Sequence, residues 1–327
     1  MSPSSCSPPS TSMSARAVQF VESFGGSEAL ELREVPVPAV GAGQVRVRVI
    51  AAGLNPMDWF MTADADAAAR FGLSLPCGFG NDYAGVVDAV GNGAVAGDGS
   101  RLEVGDRVFG GAFSRSVADY VLVDAPGHIG KGGDVHRTPD GLKDQVAATL
   151  SIAGCTAAAA LAVINPGPSD TLLIGGAGGG VGIFAVQLAR LAGARVIGTG
   201  SARSANALRA LGAEPVTYGD GLADRLRDLA PHGITAAMDL HGTNTITVAR
   251  ELGVPDSRMT TIAAVVDGIT PANGANAAPG AIEDIARLAA EGGLRVPIAA
   301  TFPVDEVRAA VELQAGRHVH GKVVIDL

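Results

Sequence analysis

A cluster of glycines is the stretch whose chemistry is most readily interpreted. Residues 175–182 read GGAGGGVG, between four strand-like residues at 171–174 and an apolar helical face that starts at Ile183. Glycine lets backbone N–H groups approach a pyrophosphate, and the N-terminus of the following helix adds unpaired donors and partial positive charge. The pattern predicts a dinucleotide site, with a flexible loop between buried elements as the alternative. The predicted cofactor-binding residues of the turn are Gly176, Ala177, Gly178, Gly179, Gly180, Val181 and Gly182, with Ala177 at the first position of the strict G-x-G-x-x-G motif.

The end of the next predicted strand, residues 194–199, indicates which dinucleotide. An NAD site carries Asp or Glu about 20 residues beyond the turn, on the ribose 2′-hydroxyl. This chain has no acidic residue from 183 to 213 and instead offers Thr199, Ser201 and Arg203. A guanidinium holds a phosphate with a planar fork of donors, so these residues predict NADPH. The alternative is that Arg203 is a solvated residue at a helix start.

The composition limits the class of protein. A length of 327 residues suits two domains, and a net charge of −9 argues against nucleic acid or an acidic membrane surface as partner. The cysteines, Cys6, Cys77 and Cys155, have no metal-ligand spacing, and their sparse use suits a reducing compartment. We therefore expect a cytoplasmic protein. Residues 1–13 are rich in Ser and Pro, which predicts a disordered tail without a secretory signal.

Two regions of different secondary structure follow each other along the chain. Residues 14–125 read as short strands separated by Gly/Pro turns. From 171 to about 266, strands and helices alternate, which predicts an α/β unit with a doubly wound parallel sheet and helices on both faces. Its fifth strand is predicted at 259–266, before a loop at 267–281. The remaining predicted strands are 295–299 and 322–325.

Several stretches together resemble the medium-chain dehydrogenase/reductase superfamily, in its zinc-independent, zeta-crystallin-like quinone oxidoreductase branch. They are AAGLNPMDW (51–59), GNDYAGVVDAVG (80–91), EVGDRVFG (103–110), ADYVLV (118–123), GGAGGGVGIFAVQLA (175–189), TFPVDEV (301–307) and HGKVVIDL (320–327). The resemblance implies a discontinuous GroES-like catalytic domain, residues 14–145 and 292–327, around a Rossmann-type domain, residues 146–291. It also implies an active site in the cleft between them and a homodimer.

Three positions depart from the zinc alcohol dehydrogenases of that superfamily. By match, their metal ligands fall at Asn55, Asn81 and, less securely aligned, Ile152, none of which completes a zinc site. We therefore expect no metal. Hydride removal from a simple alcohol needs a strong Lewis acid. Hydride addition to a quinone or a conjugated C=C bond places charge on a delocalised oxygen, which hydrogen-bond donors can stabilise.

The resemblance also implies the site residues. Asn55, Asp58, Trp59 and Thr156 are the candidate catalytic residues, and Asn55 and Thr156 are also expected near the nicotinamide. Asn55 is alternatively a turn residue before Pro56, and Trp59 fills either the substrate pocket or the core. The further cofactor-binding candidates, by match or by position, are Tyr218, with a core strand residue as the alternative, Asp239 at a strand end, and Lys322, with a surface position as the alternative.

The source of the proton that completes reduction is predicted by elimination. Asn55 is a good donor to an oxyanion but a poor acid, Tyr83 is expected to be buried, and an ionised Asp58 would have no proton to give. We therefore predict that water supplies the proton. The leading function is NADPH-dependent reduction of quinones or α,β-unsaturated carbonyls. The alternatives are an enoyl-thioester reductase or tailoring enzyme of a biosynthetic pathway, and an NADPH-binding protein with little turnover.

Overall fold

The computed structural model describes residues 14–317 and 319–327. The predicted disordered tail, 1–13, and its Cys6 lie outside the described residues. No helix in the described ranges has the length and apolar character needed to span a bilayer.

Short strands dominate the first part of the chain, as predicted from its Gly/Pro turns. The strands are β1 (Ser14–Phe20), β2 (Leu30–Pro36), β3 (Gln44–Leu54), β4 (Cys77–Gly78), β5 (Asp82–Val90), β6 (Arg107–Gly111), β7 (Tyr120–Asp124), β8 (Gly127–His128), β9 (Gly133–Asp134) and β10 (His136–Arg137). The helices are α1 (Pro56–Phe60), α2 (Ala65–Arg70) and α3 (Asp144–Ala147).

Helices and strands alternate in the second part. The helices are α4 (Ser151–Ile164), α5 (Gly182–Leu191), α6 (Ala205–Ala210), α7 (Leu222–Leu229), α8 (Asn244–Glu251), α9 (Ala281–Ala290) and α10 (Val307–Ala315). The strands are β11 (Thr171–Gly175), β12 (Arg195–Gly200), β13 (Glu214–Thr217), β14 (Ala236–Asp239), β15 (Met259–Thr261), β16 (Thr270–Pro271), β17 (Ile298–Pro303) and β18 (Lys322–Asp326).

The last strand of the chain completes the sheet of the first part. β18 pairs antiparallel with β3, with Val323 opposite Leu54 and Asp326 opposite Ala51, and parallel with β17 on its other side. The sheet order is β10-β6-β5-β3-β18-β17, with β7 also pairing with β3. Both ends of the described chain thus build one GroES-like β unit, as predicted. The domain boundaries at 145 and 291 stay predictions.

The parallel sheet of the second part has the order β13-β12-β11-β14-β15-β16. Alternate residues of β11 face opposite sides, as strand geometry requires. Leu172 and Ile174 pack with α4, α5 and α9, whereas Leu173 packs with α7 and α8. The prediction of a doubly wound Rossmann-type sheet is confirmed. The strand order reverses between β11 and β14, and the carboxyl ends of such neighbouring strands form the crevice where ligands bind.

Two strand predictions were wrong in position. The predicted fifth strand, 259–266, ends at Thr261, and Val265 beyond it is 94% exposed. Hydrophobic periodicity alone predicts that the strand continues through the apolar residues after Thr261, but these residues lie in a surface loop. The edge strand β16 lies inside the predicted loop 267–281. The strand predicted at 295–299 is β17, which starts at Ile298 and runs to Pro303.

Candidate active site

The glycine turn between β11 and α5 lies at the reversal of strand order. Gly176 has a φ of +72°, which L side chains rarely adopt, so glycine is needed there. A Cβ on Gly182 would lie 2.3 Å from the carbonyl oxygen of Gly176, so the first turn of α5 packs against the loop with no room for a side chain. The N–H of Gly176 donates to Oγ1 of Thr199 at 3.3 Å, which ties the turn to the end of β12.

Gly178, Gly179 and Gly180 form a cradle suited to a pyrophosphate. A Cβ on Gly179 would meet only the Gly176 carbonyl oxygen, at 3.3 Å. A Cβ on Gly178 would lie 3.0 Å from Nδ1 of His320, and one on Gly180 would lie 3.3 Å from Cδ of Lys322. The C-terminal segment therefore crosses the turn, and the amide of Gly321 donates to the Gly178 carbonyl at 3.1 Å. Bare backbone flanked by basic side chains fits an anionic cofactor.

The residues predicted to hold a 2′-phosphate lie together beyond β12. Ser201 accepts a hydrogen bond from the amide of Ser204 at 3.3 Å, which fixes the start of the short helix that contains Arg203. Arg203 is exposed and forms no ion pair within the described residues. Tyr218 is 60% exposed just after β13, and its amide donates to Gly200 at 3.4 Å. Its alternative as a core residue was wrong.

Asp239 shapes a loop instead of presenting a carboxylate to a ligand. Its Oδ1 accepts the amides of His241 and Gly242 at 2.9 and 2.8 Å, and its Oδ2 accepts the amide of Thr245 at 2.9 Å. The side chain is 2% exposed. Both oxygens thus bind the backbone that leads into α8, and the selection of Asp239 as a cofactor-binding residue stays a prediction.

A buried polar cluster lies where the C-terminal strand meets β3, α1 and β5. Its members, each at most 3% exposed, are Asn55, Asp58, Asn81, Asp82 and Lys322. Lys322 Nζ donates to Oδ1 of Asn55 at 2.5 Å and lies 3.8 Å from Oδ2 of Asp82. Asn55 Nδ2 donates to Oδ2 of Asp82 at 2.9 Å. The alternative surface position of Lys322 was therefore wrong.

The N-terminus of α1 holds the second carboxylate of this cluster. Asn55 precedes Pro56, the first residue of α1, and its backbone N–H donates to Oδ2 of Asp58 at 2.6 Å. Asn81 Nδ2 donates to Oδ1 of Asp58, and Asn81 Oδ1 accepts the amide of Ser114 at 3.2 Å. These contacts reconcile both readings of Asn55: it is a helix-start residue, and its side chain belongs to the cluster.

Burial governs the proton affinities in the cluster. It raises the pKa of Asp58 to about 7, with hydrogen bonds from Asn55 and Asn81 opposing the rise. Burial raises the pKa of Asp82 to about 6, against the nearby charge of Lys322. Burial also lowers the pKa of Lys322, opposed by the two carboxylates. Burial thus disfavours the ionised form of Asp58 on which the sequence argument relied, whereas the hydrogen bonds from Asn55 and Asn81 favour it.

Two predicted catalytic residues, Thr156 and Trp59, lie outside the buried polar cluster. Thr156 lies on α4, and its Oγ1 donates to the carbonyl of Ile152 at 2.6 Å. A Cβ on Gly274 would lie 2.8 Å from Oγ1 of Thr156. Trp59 is half-buried on α1 and donates from Nε1 to Oε1 of Gln314 on α10. The guanidinium carbon of Arg317 lies 5.6 Å from its ring centroid. Trp59 thus packs on α10 and lines a cavity of about 180 Å³ with Phe20 and Phe79.

Asp82 and His320 are site residues that were missed by sequence reasoning. Asp82 starts β5 and is completely buried, and its Oδ1 accepts the amide of Ile152 at 2.9 Å. An acidic residue before the apolar run YAGVV was the available signal. His320 gave no signal, because only the fold brings it to the glycine turn.

The three positions matched to zinc ligands hold no metal-binding set. Asn55 and Asn81 bond to the two carboxylates, and the third position contributes its backbone N–H to Asp82. In the described ranges, no group of three or more His, Cys, Asp or Glu is arranged to hold a metal ion.

Two family models match the chain. Residues 41–158 match the alcohol dehydrogenase GroES-like domain, and residues 196–325 match a model described as zinc-binding dehydrogenase. The human quinone oxidoreductase is 36% identical over 189 residues, which are 56% of this chain and 52% of that protein. The quinone oxidoreductase of Pseudomonas aeruginosa is 32% identical over 227 residues, 66% of this chain and 62% of that protein. The chain thus spans about half to three fifths of these curated relatives.

Longer similarities extend over almost the whole chain. A mycocerosic acid synthase-like polyketide synthase of Mycobacterium tuberculosis is 28% identical over 93% of this chain and 15% of that protein. The solved structure of the quinone oxidoreductase from Coxiella burnetii has a TM-score of 0.81 and 26% identity, covering 96% of this chain and all of that chain. With its GroES-like β unit, its Rossmann-type sheet and these matches, the chain belongs to the medium-chain dehydrogenase/reductase superfamily, in the quinone oxidoreductase branch.

Proposed function

We propose that this protein is a metal-independent, NADPH-dependent reductase of quinones or activated C=C bonds. The observation that carries the proposal is the cluster at the three zinc-ligand positions. Asn55, Asn81 and the Ile152 amide are bonded to protein carboxylates there, and the ammonium of Lys322 supplies the positive charge. Quinone oxidoreductase relatives support the same class of substrate.

The selectivity for NADPH rests on the end of β12. Ser201 and the exposed Arg203 replace the carboxylate that a ribose 2′-hydroxyl requires. The cradle of Gly178, Gly179 and Gly180 would hold the pyrophosphate, with His320 and Lys322 along its edge. Exposed Tyr218 is available to stack on the adenine. We further propose that the physiological assembly is a homodimer and that the protein is cytoplasmic.

The cluster can stabilise charge that develops on the substrate oxygen. Bound NADPH would supply a hydride to the electron-poor carbon. The amide nitrogen of Asn55 has two hydrogens, and Asp82 accepts one of them, which leaves one for a substrate oxygen. The ammonium on Oδ1 of Asn55 polarises this amide and so strengthens its remaining donor. Burial raises the pKa of Asp58 and so favours its neutral form, which limits its repulsion of the anion.

Solvent supplies the final proton in this scheme. Tyr83 is fully buried and donates to the carbonyl of Asp134 at 2.9 Å, so its hydroxyl already has a partner. Burial and the charge of Asp134 also raise its pKa well above the usual value, which makes it a weaker acid. Asn55 is not an acid, and the two oxygens of Asp58 accept hydrogen bonds from the nitrogens of Asn55 and Asn81, an arrangement that favours the carboxylate over the acid.

A substrate panel tests this function. Initial rates of NADPH oxidation would be measured with quinones, α,β-unsaturated ketones and enoyl thioesters, with simple aldehydes as the control. We expect quinones or enones to react and aldehydes to be inert. Turnover of aldehydes alone would contradict the proposal, and tight NADPH binding without turnover of any class would favour a cofactor-binding protein.

Enoyl-thioester reduction is the second candidate. The similarity to a polyketide synthase covers 93% of this chain but only 15% of that protein, so one segment of a biosynthetic enzyme resembles the whole chain. A rate with enoyl thioesters at least tenfold above that with quinones, about 1.4 kcal/mol in transition-state stabilisation, would select this candidate.

A further inference from the structure

A buried histidine outside the Asn55–Asp82–Lys322 cluster contacts both parts of the chain. His136, on β10, is 8% exposed and lies between two carboxylates. Its Nδ1 is 2.7 Å from Oε1 of Glu283, in the first turn of α9. Its Nε2 is 3.1 Å from Oδ2 of Asp134, on β9, which is an ion-pair distance without the geometry of a hydrogen bond. One ring therefore bridges the GroES-like unit and a helix that packs on the Rossmann-type sheet.

The surroundings of His136 leave its ring little freedom. The Phe109 ring on β6 lies 5.6 Å away, and a Cβ on Gly97 would lie 2.4 Å from Nδ1. The charged groups that face the bridge are Asp134, Glu283 and Asp98, which lies close enough to Glu283 to raise its pKa against the dominant, lowering effect of His136. The neighbouring Arg137 is paired with Asp106 and bonds Ser100.

Asp134 connects the bridge to the proposed active site. Its Oδ1 accepts the amide of Gly111 at 2.6 Å and lies 3.5 Å from Oγ of Ser151, the first residue of α4. The next residue, Ile152, donates its amide to Asp82. The N-terminus of α4 thus faces Asp82 and Asp134, which its partial positive charge stabilises. A change in the position or charge of Asp134 would therefore affect the N-terminus of α4 and, through it, the amide that binds Asp82.

We propose that the His136 imidazolium is a positioning residue that clamps β9 and β10 onto α9. The cluster of Asn55, Asp82 and Lys322 lies in the GroES-like unit, whereas the glycine turn belongs to the Rossmann-type sheet. The clamp sets how these two are aligned. Glutamate, histidine and aspartate serve here as one ionic unit, since removing the cation leaves Asp134 buried without its partner charge. The consequence for turnover rests on the proposed function, whereas the clamp itself does not.

The clamp is expected to open at alkaline pH. Burial alone would lower the pKa of His136, but the carboxylates of Asp134 and Glu283 outweigh it and raise the pKa to about 9 from 6.5. A raised pKa means that the folded state binds the proton more tightly. The stabilisation is therefore fully present below pH 6.5 and is lost as the pH rises through about 9.

Two variants and one matched control test the clamp. His136→Gln removes the charge with a polar side chain, and Glu283→Gln removes one anion at a half-exposed position. Glu291→Gln, at the residue directly after α9, breaks an exposed pair with Arg287 and is the control. Amide hydrogen exchange of residues 133–138 and 281–290 would be measured at neutral pH, and turnover with the best substrate across the alkaline range.

The clamp predicts at least tenfold faster exchange in both segments for His136→Gln and Glu283→Gln, equivalent to about 1.4 kcal/mol, with Glu291→Gln unchanged. It also predicts that the alkaline fall in wild-type turnover, centred near pH 9, moves to lower pH in Glu283→Gln. Wild-type exchange in both variants would overturn the clamp, whether or not a substrate is turned over. If His136→Gln does not fold, Glu283→Gln decides alone: unchanged exchange and an unchanged pH profile would overturn it.

Discussion

At the residue scale, we propose that the choice between NADPH and NADH depends on two side chains beyond β12. Ser201 is tied to the backbone of its own turn, whereas Arg203 projects into solvent. A neutral hydroxyl and a free guanidinium suit a phosphate, and they offer a ribose hydroxyl no carboxylate to accept its hydrogen bond. Selectivity between NADPH and NADH should therefore follow the charge at position 203.

Arg203→Ala should weaken NADPH binding about ten- to a hundredfold and leave NADH almost unaffected, since one charge-assisted contact contributes roughly 1.5–3 kcal/mol. Dissociation constants from titration calorimetry measure this. Arg209→Ala is the matched control, because Arg209 is an exposed arginine on α6 that bonds Asn206. An equal loss for both cofactors would remove Arg203 from the phosphate site.

Asn55→Ala should reduce turnover about a hundred- to a thousandfold, because the donor that we propose for the substrate oxygen is lost. NADPH affinity should stay nearly intact, which separates catalysis from binding. Tyr83→Phe also removes a buried hydrogen bond and is the control: it should keep wild-type turnover and lose about 1 kcal/mol of folding stability. Inactive but folded Tyr83→Phe would make Tyr83 the acid and contradict the water proposal.

At the level of elements, the turn between β11 and α5 contains one glycine that the fold requires and another that the proposed cofactor site requires. Gly182 packs against the loop backbone, whereas Gly179 faces outward with one neighbour at 3.3 Å. A side chain at Gly182 would strain the protein, whereas one at Gly179 would obstruct the cofactor in the site that we propose.

Gly182→Ala should therefore lower the unfolding temperature, because its Cβ would overlap the Gly176 carbonyl at 2.3 Å. Gly179→Ala, whose Cβ would meet the same oxygen at 3.3 Å, should lose much less stability than Gly182→Ala yet bind NADPH at least tenfold more weakly, or about 1.4 kcal/mol. Thermal unfolding with and without NADPH distinguishes the two. Full NADPH affinity in Gly179→Ala would place the pyrophosphate elsewhere.

Sequence patterns predicted the elements better than their environments. The glycine turn with its flanking strand and helix follows from local spacing, so β11 and α5 were predictable. The burial of Asp58 and Lys322, and hence their shifted pKa values, arises from contacts between segments over 260 residues apart, as in the Lys322–Asn55 bond. No local pattern contains that information. Trp59 likewise has its environment decided by α10, which follows far along the chain.

At the scale of the molecule, two sheets with different roles meet at the N-terminus of α4 and at the C-terminal strand. The Rossmann-type sheet supplies the glycine cradle, and the GroES-like unit supplies the charged cluster. Lys322 belongs to both, because its stem passes Gly180 and its ammonium reaches Asn55. We therefore propose that an internal ammonium and amides take the place that a metal has in zinc dehydrogenases.

The most direct test is a single-turnover reaction of protein treated with a strong chelator and verified as metal-free by elemental analysis. The protein would be loaded with NADPH and mixed with a quinone, and the absorbance of the reduced nicotinamide would be followed. The account predicts the same rate constant before and after chelation, and a loss of about a hundredfold or more in Asn55→Ala. Activity that disappears on chelation and returns with stoichiometric zinc would contradict it.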